Sequence, residues 1–156
     1  MKLNLGGVPG EKKGFKIVSL IPEADYVHNL DEYPLPFEDN SIEEIRASHI
    51  IEHLKEPLDF LKECYRIMKP GAIIVIRVPH MDSTGANGTF EHRWQLNEYA
   101  IEDVDGSRPN GIYPKEYYFE KVKTKVLTGR FLFWRKYEIV WILRKKKYME
   151  LKNGKG

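Results

Sequence analysis

The sequence predicts an α/β fold: a mostly parallel sheet closed by a C-terminal antiparallel hairpin, with reduced helix content at the N-terminus. Three observations carry this. Ala72 to Val78 reads AIIVIRV, an almost unbroken β-branched run, as expected of a strand covered on both faces of a parallel sheet. Just before it, Leu58, Leu61, Tyr65 and Met68 recur at helical spacing, and Phe60, Cys64 and Ile67 widen the stripe. Before that again, Glu44 to Ser48 is a short β-type run with Ile45 and Ala47 as its apolar members. Strand, helix, tight turn and strand make a βαβ unit, whose crossover is right-handed. Pro57 suits a first helical turn, and Pro70-Gly71 is expected to stop the helix.

The remaining elements follow in chain order. Lys2 to Leu5 is a short strand ended by Gly6-Gly7, and Lys16 to Leu20 is the next. The stretch between them, Gly7 to Phe15, is too short for a normal parallel crossover with a helix. The first helix of such a sheet is therefore expected to be missing or reduced to a turn. Pro34 to Asn40 is a loop. Ser41 and Glu44 fit a capping box, but the β-type run follows too soon, so they lead into a strand. His80 to Tyr99 is rich in Gly, Ser, Thr and Asn and reads as a loop. Gln95 to Val104 is expected to be helical, with Leu96, Tyr99 and Ala100 inward, and Asp105 to Pro114 is a turn-rich loop. Glu116 to Leu127 alternates Tyr118, Val122 and Val126 with Lys121, Lys123 and Lys125 as a half-exposed strand. Thr128-Gly129 turns the chain, and Tyr137 to Leu143 is a more buried strand. One domain over residues 1–143, followed by a basic, flexible tail over 144–156, is the expected organisation.

Composition bounds the function class. With 42% hydrophobic and 31% charged residues in 156, the chain reads as soluble and globular. No apolar run approaches membrane-spanning length, and the N-terminal MKLNLGG is not a signal peptide. Cys64, the single cysteine, lies on the apolar helix face, which excludes an internal disulfide and fits the cytoplasm. The net charge of +2 hides an asymmetry. Nine Lys or Arg against two Glu after position 129 give the end of the chain +7 and leave −5 for the rest. A basic end can meet nucleic acid, though a solvated tail is the simpler reading.

The run LPFEDNSIEEI, the EHL turn, RIMKPGA and the strand IIVIRVPH resemble, in order and spacing, the second half of a class I S-adenosylmethionine-dependent methyltransferase of the small type 11-like kind, a Rossmann-like fold. The resemblance extends over the first two-thirds of the chain. It implies S-adenosylmethionine as cofactor, held by Asn4, Gly6, Gly7, Ser19, Asn29, Leu30 and His49. Asn4 and Gly6 match the glycine-rich turn of the family, where Val8 replaces a second glycine and Pro9 has no N–H to offer. Ser19 stands where the family has an acid for the ribose hydroxyls. Ala24 to Leu30 (ADYVHNL) resembles the third strand of the family, where Asn29 replaces the aspartate that faces the adenine amine, and an amide oxygen can still accept there. Asp31 is the adjacent alternative.

Loops at the carboxyl ends of parallel strands bind ligands, and one of them carries His80, Asp82, Glu91, His92 and Arg93. Methyl transfer at a sulfonium requires in-line alignment and can use a general base. Histidine suits that base: His80 is the first candidate and His92 the second, against a packing role for both. Trp94 and Tyr99 are candidates for an aromatic pocket wall or for core. His49-x-x-Glu52-His53 spells an inverted zinc-peptidase motif. Its position at a strand end, ahead of the helix proper, argues against a metal, and none is expected. The acceptor implied is a small molecule or sugar. A non-catalytic methyltransferase-like domain, and an RNA methyltransferase using the basic end, are the alternatives. The first strand starts at once, without a covering helix, which leads to an expected homo-oligomer.

Overall fold

The computed structural model describes residues 1–108, 110, 113–117, 119–129 and 136–146. Its centre is one seven-stranded sheet. The strands are β1 (Lys2–Leu5), β2 (Lys16–Ser19), β3 (Tyr26–Val27), β4 (Ile42–Ser48), β5 (Met68–Pro79), β6 (Phe119–Thr128) and β7 (Lys136–Lys145). Their order is β3-β2-β1-β4-β5-β7-β6. The first five are parallel, while β7 pairs antiparallel with β5 and β6 antiparallel with β7. The expected α/β class, the parallel sheet and the closing hairpin are all present. The sequence order reverses between β1 and β4, so the chain has a switch point where the strand ends splay a crevice open.

One face of this sheet is the core. Leu3, Leu5, Val18, Ile45, Ala47, Ile74, Ile76, Val78, Trp141 and Leu143 are buried there. The helix α1 (Pro57–Ile67) lays Phe60, Leu61, Cys64 and Ile67 into the same cluster. Burying such side chains contributes roughly 1.5–3 kcal/mol each. The opposite face is different. Ile73, Val75 and Arg77 of β5 lie beside Arg144, Ile142 and Val140 of β7, and none of the six is buried. The expectation that AIIVIRV is covered on both faces is thus corrected: alternate residues are half-exposed. The reason is the missing crossovers, since residues 7–15 form turns with no helix between β1 and β2, as the short spacing required.

The helix-to-strand junction also differs from the expected turn. Met68, which ends α1 in an extended conformation, already pairs with Ile42, and the register then jumps to Glu44↔Ile73. Pro70-Gly71 therefore forms an irregularity inside β5, with Gly71 at φ 83°. Residues 95–104 are not one helix. Leu96 bridges to His80 in a parallel pairing, and only Glu102–Asp105 is helical. Tyr99 is exposed, whereas Ile101 and Val104 are buried. Asn97 and the turn at Tyr99 to Glu102 take the local backbone hydrogen bonds that a helix starting at Gln95 would need. In the predicted loop after β5, Thr84–Asn87 forms a short helical turn capped by Ser83. Val122 is exposed because the β6 register shifts between Lys121 and Lys123. Tyr118 and the tail from 147 onward lie outside the described residues.

β7 runs through Lys145, two residues beyond its expected end and into what was read as tail. Lys145 is 8% exposed. Its Nζ donates to Asn40 Oδ1 at 2.8 Å and to the Met68 carbonyl at 2.9 Å, and lies 4.7 Å from the centre of the Tyr65 ring. Burial pushes this ammonium down to about 8 from 10.5. Between those two values the unfolded chain holds a proton that the folded chain has released, so stability rises with pH across that window. Urea midpoints measured from pH 7.5 to 10 should climb, and the climb should shrink in Lys145→Met; an unchanged profile in that variant would assign it to other groups.

Candidate functional site

The parallel strands deliver their following residues to one edge of the sheet. Gly6 follows β1, His28 follows β3, His49 follows β4 and His80 follows β5, while Ser19 ends β2. Gly6, Ser19, Leu20, His28, Asn29, Leu30, Asp31, Ile50, His53 and Leu54 line a cleft of about 210 Å³ at the β1–β2–β3 part of this edge. Four residues named from the sequence, Gly6, Ser19, Asn29 and Leu30, thus converge there, although Asn29 and Gly6 are 23 positions apart.

The turn after β1 is built by close contacts. Gly6 has φ +75°, and a Cβ on it would sit 2.9 Å from Ile50 side-chain carbons. Its N–H donates to the Val18 carbonyl at 2.8 Å. Asn4, Gly7 and His49 do not line the cleft. Asn4 is 3% exposed and donates from Nδ2 to Glu11 Oε2 at 3.0 Å. Glu11 in turn accepts from the Val8 N–H at 3.2 Å. Gly7 covers that amide so tightly that a Cβ would fall 2.0 Å from Asn4 Nδ2. Asn4 and Gly7 shape the turn from beneath.

On the other side of the cleft, Asn29 Oδ1 accepts from the Asp31 N–H at 3.1 Å, and its Nδ2 donates to Glu32. The amide is therefore held in an Asx-type turn and presents its remaining lone pair. Asp31 accepts from the Lys55 N–H at 2.8 Å and is the one carboxylate among the described lining residues. Glu23, near the end of β2, does not line the cleft. Leu30, Ile50 and Leu54 give an apolar floor; Ser19, Asn29 and Asp31 give a polar rim. That mixture suits the flat base and the hydroxyls of a nucleoside.

The histidines divide by environment. His80 is 2% exposed. Its Nε2 meets Glu98 Oε2 at 2.8 Å and its Nδ1 accepts from the Asp82 N–H at 3.0 Å. Both ring nitrogens are engaged, so His80 pins the β5 loop and offers no free nitrogen to a substrate. His92 is half-buried, with Nδ1 3.3 Å from the Ala86 carbonyl and its ring packed edge-on to His53 at 4.6 Å. His49 adopts φ 52°, a left-handed conformation that costs a non-glycine residue of order 1–3 kcal/mol and marks functional positions. Its side chain is 50% exposed. Nε2 lies 2.9 Å from Glu138 Oε1 and Nδ1 lies 3.4 Å from Glu52 Oε1. Glu52 first, and then Glu138, hold the imidazole above its ordinary pKa, against burial. Arg77 pairs with Glu138 through Nε at 3.2 Å and through a short contact from its second nitrogen. Sequence reading had no means to find Glu138, which reaches His49 only because β7 returns beside β5.

Trp94 donates from Nε1 to the Leu54 carbonyl at 2.8 Å and lines a second, more apolar cavity of about 180 Å³ between α1 and the 94–104 segment, with Leu61, Leu96 and Trp141. Tyr99 does not line it.

A mostly parallel sheet with this strand order, a glycine turn after β1 and a nucleoside-sized cleft beside it define the class I S-adenosylmethionine-dependent methyltransferase fold. Residues 13–76 match the family described as a methyltransferase domain. A probable S-adenosylmethionine-dependent methyltransferase of Mycolicibacterium smegmatis is 37% identical over 60 residues, 38% of this chain and 23% of that protein. The chain spans less than a quarter of the length of the curated relatives it matches. Among solved structures, an S-adenosylmethionine-dependent methyltransferase from Archaeoglobus fulgidus aligns with a TM-score of 0.71 at 16% identity, over 92% of this chain and 85% of that one. The 1,6-didemethyltoxoflavin N1-methyltransferase of Burkholderia thailandensis, solved with S-adenosylhomocysteine, aligns at 0.65 and 12% identity, over 94% and 71%. The resemblance read from the sequence is borne out.

The turn beneath Gly6 yields a test of stability. Gly7→Ala should cost about 1–3 kcal/mol through overpacking. Because the offended atom belongs to Asn4, the same change should cost less in an Asn4→Ala background. Urea unfolding of the four proteins measures the coupling, and strict additivity would show that the clash is relieved elsewhere.

Proposed function

We propose that the protein is an S-adenosylmethionine-dependent methyltransferase acting on a small-molecule acceptor, of which a sugar is one example. The observation that carries this is the convergence of Gly6, Ser19, Asn29, Leu30 and Asp31 on one cleft at the switch point of the sheet. The residues fit the nucleoside part of the cofactor. Leu30, Ile50 and Leu54 would take the faces of the adenine, and Asn29 or Asp31 would accept from its amine. Ser19 would bond a ribose hydroxyl, and Gly6 lets the backbone approach closely. When bound, the cofactor supplies a methyl group made electrophilic by its sulfonium. The chain's own work is alignment of the acceptor and removal of its proton.

We assign that proton to His49, whose longer carboxylate contact, Nδ1 to Glu52 at 3.4 Å, would give way to the acceptor. His49 follows β4, precedes the cleft-lining Ile50, is half-exposed, and is oriented by Glu138. Of the two histidines first considered, His80 is locked on both nitrogens and His92 sits beyond His53. A cytoplasmic enzyme with a homo-oligomeric partner remains part of this reading; no helix among the described residues is long and apolar enough to cross a membrane.

A non-catalytic methyltransferase-like domain is the second reading, favoured by the absence of a helix N-terminus after Gly6 and by the serine in place of an acid at the end of β2. Titration calorimetry separates the two. Saturable binding of S-adenosylmethionine and S-adenosylhomocysteine, weakened about tenfold in Asn29→Ala, is expected; no heat up to millimolar ligand would favour the second reading. Once an acceptor is in hand, His49→Ala should lower kcat by about 10²-fold with little change in KM. A shift in KM alone would make His49 a binding group.

A further inference from the structure

We propose that Glu52, His53 and His92 form a binding site for a first-row divalent transition ion of the zinc type, at the rim of the cleft. One ligand atom from each lies within 4.8 Å of the other two. A tetrahedral zinc site with bonds near 2.0–2.1 Å needs its donors about 3.4 Å apart, so the cluster closes on an ion by a movement of about 1 Å.

Two further observations point to a ligand. Glu52 is 1% exposed, and its carboxylate has one long ion pair, Oε1 to His49 Nδ1 at 3.4 Å, while no donor among the described residues meets either oxygen in hydrogen-bond geometry. A buried carboxylate held by one long ion pair is under-compensated, above all at Oε2, and a metal ion is one group that supplies what is missing. The imidazoles are also prepared. His53 Nδ1 faces the Glu91 carbonyl at 3.3 Å, and His92 Nδ1 faces the Ala86 carbonyl at 3.3 Å. A carbonyl can only accept, so in each ring Nδ1 carries the proton and Nε2 keeps its lone pair. This is the tautomer that metal-binding histidines adopt, oriented by a backbone acceptor.

The loop that brings His92 in is clamped to the turn bearing Glu52. Arg93 N–H and Trp94 N–H both donate to the Glu52 carbonyl, at 2.8 and 3.3 Å. Two nitrogens and one oxygen select zinc, cobalt or nickel over magnesium or calcium. Three protein donors leave a coordination position for water or an oxygen ligand, and His53 lines the cleft from which one would arrive. The site differs from the one spelled by His49-x-x-Glu52-His53, because His49 is turned to Glu138.

The inference stands apart from the methyl-transfer reading, and its test uses no cofactor. Cobalt(II) is titrated into the full chain, stripped with chelator, at neutral pH and followed by visible absorption; competition with zinc gives the affinity. One equivalent should bind at micromolar Kd or tighter, with the intense bands of a four-coordinate ion. His92→Ala and His53→Ala should each weaken binding about 100-fold. Glu52→Gln alters a buried group and can unfold the chain, so the half-buried His92 decides, with its melting temperature measured alongside. The absence of saturable absorption up to millimolar cobalt would overturn the site. So would binding that survives His92→Ala.

Discussion

The parallel pairing of β1 with β4 is the constraint on which the site depends. Lys2 lies opposite Glu44, and Leu5 opposite Ala47, so both strands end at the same level. The glycine turn that follows one then meets the His49-Ile50 step that follows the other. A slip of one residue would turn Leu3 and Leu5 out of the core and Asn4 into it. It would also part Gly6 from Ile50, which approach too closely for any side chain at position 6. The core thus fixes the register, and the register fixes the cleft. The ladder is short, and it is held at its outer end by Lys2 on Glu44 and by the N-terminal amine on Glu43.

The missing crossover helices have a consequence on each face of the sheet. On the core face α1 suffices, because it presents a broad apolar stripe and the 94–104 segment covers what remains. On the other face, Arg46 and Lys2 approach the ring of Phe15, and the strands nearer the hairpin leave Ile73, Val75, Val140 and Ile142 half-exposed among Arg77, Arg144 and Glu120. Charged neighbours keep this surface soluble while its aliphatic atoms remain in part accessible. The turn after β1 likewise has no helix dipole behind it. Its order comes from the side chains of Asn4 and Glu11, which tie residues 4, 8 and 11 together.

The carboxyl edge contains more carboxylates and histidines than nucleoside binding requires, and they fall into separate pairs. His80 belongs to Glu98, His49 to Glu138, and His53 to His92 beside Glu52. The first pairing closes the segment after β5 on itself, while the other two join different parts of the chain: the end of β4 with the start of β7, and the turn before α1 with the loop after β5. The two loops that lack helical structure, 80–83 and 88–94, are positioned by main-chain hydrogen bonds to neighbours. These include Met81 to Leu96, His80 to Tyr137, and Arg93 to Glu52. Rigid placement of this kind is what a site on a loop needs if its groups are to act on a ligand.

The sequence by itself determined the strands, the long helix and the resemblance to methyltransferases, because these rest on local periodicity and on motifs whose spacing survives in one dimension. It also showed that the first helix had no room, since nine residues cannot cross over a sheet with a helix. Of the residues it named for the cofactor, Gly6, Ser19, Asn29 and Leu30 line one cleft because each sits at or just past its strand end, while Asn4, Gly7 and His49 do not. Only the tertiary structure decided what each histidine pairs with. His80 and His92 look alike in a polar loop, and their difference lies in Glu98 and in Ala86 and His53, contacts made through folding. Pairings such as Glu138 with His49, and His92 with Glu52, join residues 89 and 40 positions apart through the sheet order and a loop clamp. No pattern along the chain encodes that proximity; the geometry of the strand ends does.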